Sequence, residues 1–166
     1  MKNLKTILLA ITLFIGSISF INAQSKIAHI NTQELIAAMP EAKTAQTELE
    51  KLSKSLETDF KNTSEEYQRK VTQYEAEAST KTDEENQKRG VELQEMQQSI
   101  IQFRQNGEQE LRQKQGDLFN PIQEKALAAI QKVARAQGFQ YVMDSSTLIM
   151  AEGKDLMVDV KKELGI

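Results

Sequence analysis

From Leu49 onward apolar residues recur at steps of three and four: Leu49, Leu52, Leu56, Phe60, Tyr67, Val71, Tyr74 and Ala78, with polar Thr63 keeping the register. Such spacing predicts an amphipathic helix with one stripe to bury. The steps add up to an 11-residue repeat. It is visible in Ala38, Leu49, Phe60 and Val71, and again in Ile100, Leu111, Ile122 and Val133. That period is about 3.67 residues per turn, so straight or slightly right-handed helices are expected, where a strict heptad would coil them left-handed. Between the two runs, Ser79 to Gly90 (STKTDEENQKRG) has no apolar residue. A helix there has no stripe to bury, and the chain is predicted to turn back. The result is an antiparallel helical hairpin over 41–137 with its tip near 79–90. A midpoint near 85 pairs Glu41 with Ala129 and Phe60 with Glu110. Each limb then has roughly 45 residues and spans about 65 Å. Pro121 removes one helical hydrogen bond and is expected to bend the returning helix near Asn120.

The segments flanking the hairpin have a strand-like character. Lys26–Ile30 (KIAHI) predicts a strand; Asn31 and Glu34 supply a capping box for a helix from Thr32 to about Met39; Pro40 suits the first turn of the next helix. After Gly138, placed as a C′ glycine, Phe139–Asp144 (FQYVMD) and Leu148–Ala151 (LIMA) predict two further strands separated by Ser145 and Ser146. Asp155 then caps a last helix, Leu156–Leu164. The fold class expected is mainly α, with a long antiparallel hairpin projecting from a small antiparallel β-sheet. The sheet-bearing body, 24–40 and 138–166, is too short to bury much surface alone, and a three-stranded sheet leaves two open edges. Both deficits favour self-association into a closed or nearly closed barrel. The residues expected to build it are Ile27, Ile30, Tyr141, Val142, Met143, Leu148 and Ile149.

The start of the chain has a different character. Lys2 and Lys5 precede an apolar run from Ile7 to Ile21, and Ala23 follows. This pattern predicts a secretory signal peptide over 1–23, cut between Ala23 and Gln24; the alternative is an uncleaved membrane anchor. Cleavage leaves 143 residues and removes two Lys but no acid, which moves the formal charge from −3 to −5.

Composition then narrows the chemistry. With no Cys, the chain has no disulfide, no thiolate metal site and no Cys nucleophile, and its one histidine, His29, rules out a site needing two His ligands. Aromatic residues make up 5% and charged residues 27%, which argues against a large globular core. No GxxxxGK[ST] phosphate loop occurs. No catalytic residue, cofactor, metal or nucleic-acid partner is therefore expected. His29 is expected to pack or lie at the surface, and Asp144 and Asp155 to serve as strand-end and capping residues. Along the limbs, Met96, Ile101 and Phe103 are candidates for a stripe that contacts a bound chain. Lys81, Lys88 and Arg89 form a weak basic patch at the tip, diluted by Asp83, Glu84 and Glu85.

Four stretches carry a resemblance to a known family: KIAHINTQELIAAMPEA (26–42), IQEKALAAIQKVARAQGF (122–139), YVMDSSTLIMAEG (141–153) and DLMVDVKKEL (155–164). In that order, behind a signal and around a helical hairpin, they resemble the Skp (OmpH-like) family of periplasmic chaperones. The resemblance implies a homotrimer with a β-barrel body and three helical arms around a cavity. It also implies an ATP-independent holdase for unfolded outer-membrane β-barrel proteins in the periplasm. Well-known members are strongly basic and this chain is acidic, so electrostatic contact with an anionic membrane surface is expected to be weak. The alternative from another class is a non-catalytic coiled-coil spacer or adaptor of the cell envelope.

Overall fold

The computed structural model describes residues 26–166. The expected signal peptide and its Ala23–Gln24 cut lie outside them. Seven elements follow in order: β1 (Ile27–Ile30), α1 (Thr32–Ala38), α2 (Pro40–Glu77), α3 (Asp83–Ala136), β2 (Tyr141–Asp144), β3 (Lys154–Asp155) and α4 (Met157–Leu164). The helix boundaries follow local chemistry. Asn31 accepts the Glu34 backbone N–H at 3.0 Å to cap α1, and Pro40 opens α2. Gly138, at φ 73°, ends α3 in a Schellman turn: its N–H reaches Arg135 O at 3.1 Å and the Phe139 N–H reaches Ala134 O at 2.9 Å.

α2 and α3 form the expected antiparallel hairpin, with unequal limbs. They contain 38 and 54 residues, which is about 57 and 81 Å of helix. The turn is confined to Ala78–Thr82 and does not occupy the whole apolar-free stretch. Thr82 restarts the helix through a full capping box, its hydroxyl accepting the Glu85 N–H while the Glu85 carboxylate accepts the Thr82 N–H. Opposed pairs such as Glu41–Lys125, Leu56–Gly107 and Lys70–Glu92 put the midpoint near 81–83, so partners lie one to two turns from the expected pairing. α3 continues as a helix on both sides of Pro121.

The sheet corrects the sequence reading in two respects. Its order is β2-β1-β3 and both pairs are parallel, not antiparallel, with Ile27 opposite Tyr141 and His29 opposite both Met143 and Asp155. The reason is connectivity: the chain leaves β1, travels out along one limb and back along the other, and so re-enters the sheet at the end where it began. A parallel pair needs such a long crossover. The third strand is Lys154–Asp155, not Leu148–Ala151. Reaching the free edge of β1 in parallel requires a second return, and residues 148–152 are used up in making it.

The core is not confined to the sheet-bearing segments. Ala28, Ile30, Leu35, Met39, Leu156, Met157 and Val160 are buried together with Ala42, Ala45, Ile122, Ala126, Ala129, Ile130, Val133 and Ala134. Eight of these fifteen residues thus come from the root of the arm, so body and arm root share one core. Five of the eight are Ala, which lets the helices approach closely.

Farther out, stripe residues such as Leu49, Phe60, Tyr67 and Val71 are only half-buried, because two helices cannot enclose a seam. Helix propensity therefore matters more there. Gly90 lies inside α3, and a methyl group added to its Cα would meet nothing within 4 Å. Gly90→Ala is expected to stabilise the arm by about 0.5–1 kcal/mol, read as a raised urea midpoint at an unchanged slope.

Candidate functional site

The arm surface places the candidate contact residues differently from one another. Ile101 is 53% exposed, and Val91, not singled out by the sequence reading, is 51% exposed. Met96 is half-buried. Phe103 turns inward to line a recess of about 220 Å³ with Leu56, Phe60, Gly107 and Leu111. Ile101 therefore faces outward, whereas Met96 and Phe103 lean into the seam.

The three tip cations do not form one patch. Lys81 is exposed and Lys88 pairs with Glu84 at 2.8 Å on its own helix, but Arg89 is drawn between the limbs. Its side chain is 19% exposed, donates to Glu77 at 2.6 Å and lies 4.5 Å over the Tyr74 ring. Beside it, the Tyr74 hydroxyl donates to Glu92 Oε2 at 2.6 Å, and Lys70 pairs with the other oxygen of the same carboxylate. These bonds shift the groups in consistent directions. Lys70 and then Tyr74 hold Glu92 below the usual carboxylate range, while bonding to Glu92 raises both Lys70 and Tyr74. Polar contacts thus fasten the outer arm where the apolar stripe runs thin.

The body presents two sheet faces. Ala28 and Ile30 point into the core, with Val142 packed against it, whereas Ile27, Tyr141 and Met143 stand on the opposite face at 50%, 60% and 45% exposure. Ile149 and Met150, in the return segment, are also exposed; Leu148 is half-buried. Of the residues expected to build an assembly surface, Ile30 is used internally, Val142 and Leu148 are partly covered, and Ile27, Tyr141, Met143 and Ile149 are open. His29, on the central strand, is half-buried, and its Nδ1 has no hydrogen-bond partner among the described residues.

Asp144 ties this surface to the first helix. Its carboxylate accepts the Thr32 hydroxyl and, at 2.9 Å, the Ser146 N–H. The Thr32 bond first, and the Ser146 bond second, hold it below the ordinary carboxylate value. A folded value lowered in this way adds stability that is fully present above the unfolded value of about 3.9 and is lost as pH falls through the folded one. Asp144→Asn is expected to lower the melting temperature at pH 7 and to narrow the gap between melts at pH 7 and pH 3.

Among the described residues, no three His, Cys, Asp or Glu side chains gather where a metal ion could be held, and no helix there is long and apolar enough to cross a membrane. The functional geometry is one of surfaces: a thin, partly apolar arm and an exposed apolar sheet face.

Comparison with known proteins agrees with this architecture. Residues 26–164 match the profile of the family described as outer membrane protein (OmpH-like). The chaperone protein Skp of Yersinia enterocolitica is 25% identical over 141 residues, covering 84% of this chain and 86% of that protein. A solved OmpH-like protein from Caulobacter crescentus CB15 superposes with a TM-score of 0.75 at 13% identity, over 87% of each chain. At that identity the superposition speaks for the fold.

Proposed function

Because the chain belongs to the OmpH-like outer membrane protein family, we propose that it is an ATP-independent holdase that surrounds unfolded outer-membrane β-barrel proteins in the periplasm and keeps them from aggregating. Its signal peptide is removed after Ala23, and copies associate through the exposed sheet face, as a trimer, with the arms projecting around a common cavity. Unfolded outer-membrane strands alternate apolar and polar residues, so they aggregate in water before insertion. A cage of long arms offers such a chain many weak contacts, and release needs no fuel when the membrane-inserted fold is the deeper well.

One observation carries the reading: a two-helix arm reaches far beyond the core while leaving apolar residues such as Val91 and Ile101 about half exposed. A pure spacer has no use for that surface, whereas a client-binding arm needs it. At the tip, Arg89 is engaged by Glu77 and Lys88 is paired with Glu84, which leaves Lys81 for weak contact with an anionic membrane.

The test dilutes a urea-unfolded outer-membrane β-barrel protein into buffer with the purified mature chain and follows light scattering. Near-stoichiometric chain is expected to keep the client soluble without nucleotide. Precipitation at the rate of the client alone refutes the proposal.

A further inference from the structure

Gly107, at the recess halfway along the arm, is the only described residue that is buried between Ala45 and Ile122. A glycine inside a long helix weakens it relative to alanine. Nothing in the arm itself demands that weakness. A Cβ at this position would meet the Leu56 methyl carbons at 3.5 Å, an ordinary van der Waals contact. What the missing methyl leaves is room.

That room has a defined chemistry. Leu56, Phe60, Phe103 and Leu111 make it apolar, and its volume is about 220 Å³. An apolar cavity of about 150 Å³ already admits benzene. The recess therefore takes a phenol or indole ring, and neighbouring aromatic rings favour another in offset or tilted packing. The rim is polar, with Glu57, Arg104 and Glu108. Arg104 pairs with Glu108 at 3.3 Å, and Lys61, one turn from Glu57, pairs with Glu65 at 3.8 Å. Glu57 thus has no cation partner among the described residues, and its carboxylate stands at the recess as an unengaged acceptor.

An apolar pit with an acceptor at its edge matches a side chain that has an apolar ring and a hydrogen-bond donor at its end. Tyr and Trp have that form. Outer-membrane β-barrel strands carry aromatic residues in girdles at both membrane interfaces. The exposed Ile101 lies three residues before Arg104 and seven before Glu108, on the same flank of α3. It is about 9 Å along the helix from Gly107, so one extended strand covers both.

We infer that the recess at Gly107 is a subsite for one Tyr or Trp side chain of an extended client strand. The ring packs among Phe60, Phe103 and Leu111, and the hydroxyl or indole N–H donates to Glu57. This rests on the holdase reading and deepens it: area along the arm holds the client, and the recess selects girdle residues over aliphatic ones.

The chain has no Trp, so a probe's indole is read without background. The probe is a peptide of about ten residues, alternating apolar and polar, with one central Trp. The full mature chain is expected to shift its emission to the blue. The same peptide with Leu for Trp, measured by competition, is expected to bind about three- to tenfold more weakly. Gly107→Ala is expected to raise the urea midpoint yet weaken the Trp peptide by a similar factor, with the Leu peptide unchanged. Gly90→Ala, the same change on open helix surface, is expected to leave both affinities alone. Glu57→Ala is expected to weaken the Trp and Tyr peptides and spare a Phe peptide. Equal affinity for the Trp and Leu peptides, no blue shift, or unchanged Trp binding by Gly107→Ala or Glu57→Ala overturns the subsite. Light scattering with a whole client separates the two readings: a client kept soluble in any of those cases leaves the holdase standing without the subsite. A client that precipitates as it does alone overturns the holdase, and the subsite with it.

Discussion

Leu35→Ala is expected to cost the folded chain about 2–5 kcal/mol and to be the most damaging single truncation in the body. Leu35 is fully buried, on the short helix α1 that lies between the sheet and the arm root. The buried core to which it belongs draws on β1, α2, α3 and α4, so a cavity there weakens packing shared by several elements. The usual relief, inward movement of large neighbours, is limited because much of the arm-root core is Ala. Against a total stability of about 5–15 kcal/mol, the loss should lower the melting temperature by roughly 4–20 °C. Ile36→Ala, next to it but only half-buried, is the control and should cost visibly less. Urea titrations of both variants decide the matter: a Leu35→Ala penalty no larger than that of Ile36→Ala would mean the body does not rest on this core.

The hairpin is legible in the sequence because a helix writes its buried face into local spacing. Leu49, Phe60 and Val71 on one limb and Leu111, Ile122 and Val133 on the other announce two stripes that need each other. The position of the turn is less legible, since the apolar-free stretch Ser79–Gly90 reads as one turn although Thr82 and Glu85 restart the helix within it. Once that register shifts, Arg89 changes role: its partners Tyr74 and Glu77 are distant in sequence and come within reach only after the tip is placed. Strand direction is hidden for a similar reason. KIAHI and YVMD look alike whichever way they pair, and only the path of the arm between them makes the pair parallel. LIMA has the composition of a strand, but composition does not say where a strand's partner is. The Ala-rich arm root resembles helix surface in its spacing, when small residues there mark close packing of the helices.

Shortening the arm is expected to abolish holding while sparing the body, the largest functional effect proposed. The buried core ends at Ala45 on α2 and at Ile122 on α3, apart from Gly107 under Leu56, so residues beyond them support little of the body. Replacing 63–99 with a short Asn-Gly turn removes the polar tip network and Val91 and Met96, yet it rejoins the limbs in the register set by Lys70–Glu92 and Leu56–Gly107. Light scattering should report an oligomer with the same number of copies, and the loss of contact area should leave the client to precipitate as it does alone. The argument turns on area: each apolar contact on the arm is worth little, at about 25 cal/mol per Å², and a mobile client is kept only by many at once. Retention of holding by the shortened chain would move the grip to the body's sheet face, where Tyr141 and Met143 would then be the residues to change. Loss of the oligomer along with holding would instead show that the arms take part in assembly, and a version cut back only to 70–92 would separate the two roles.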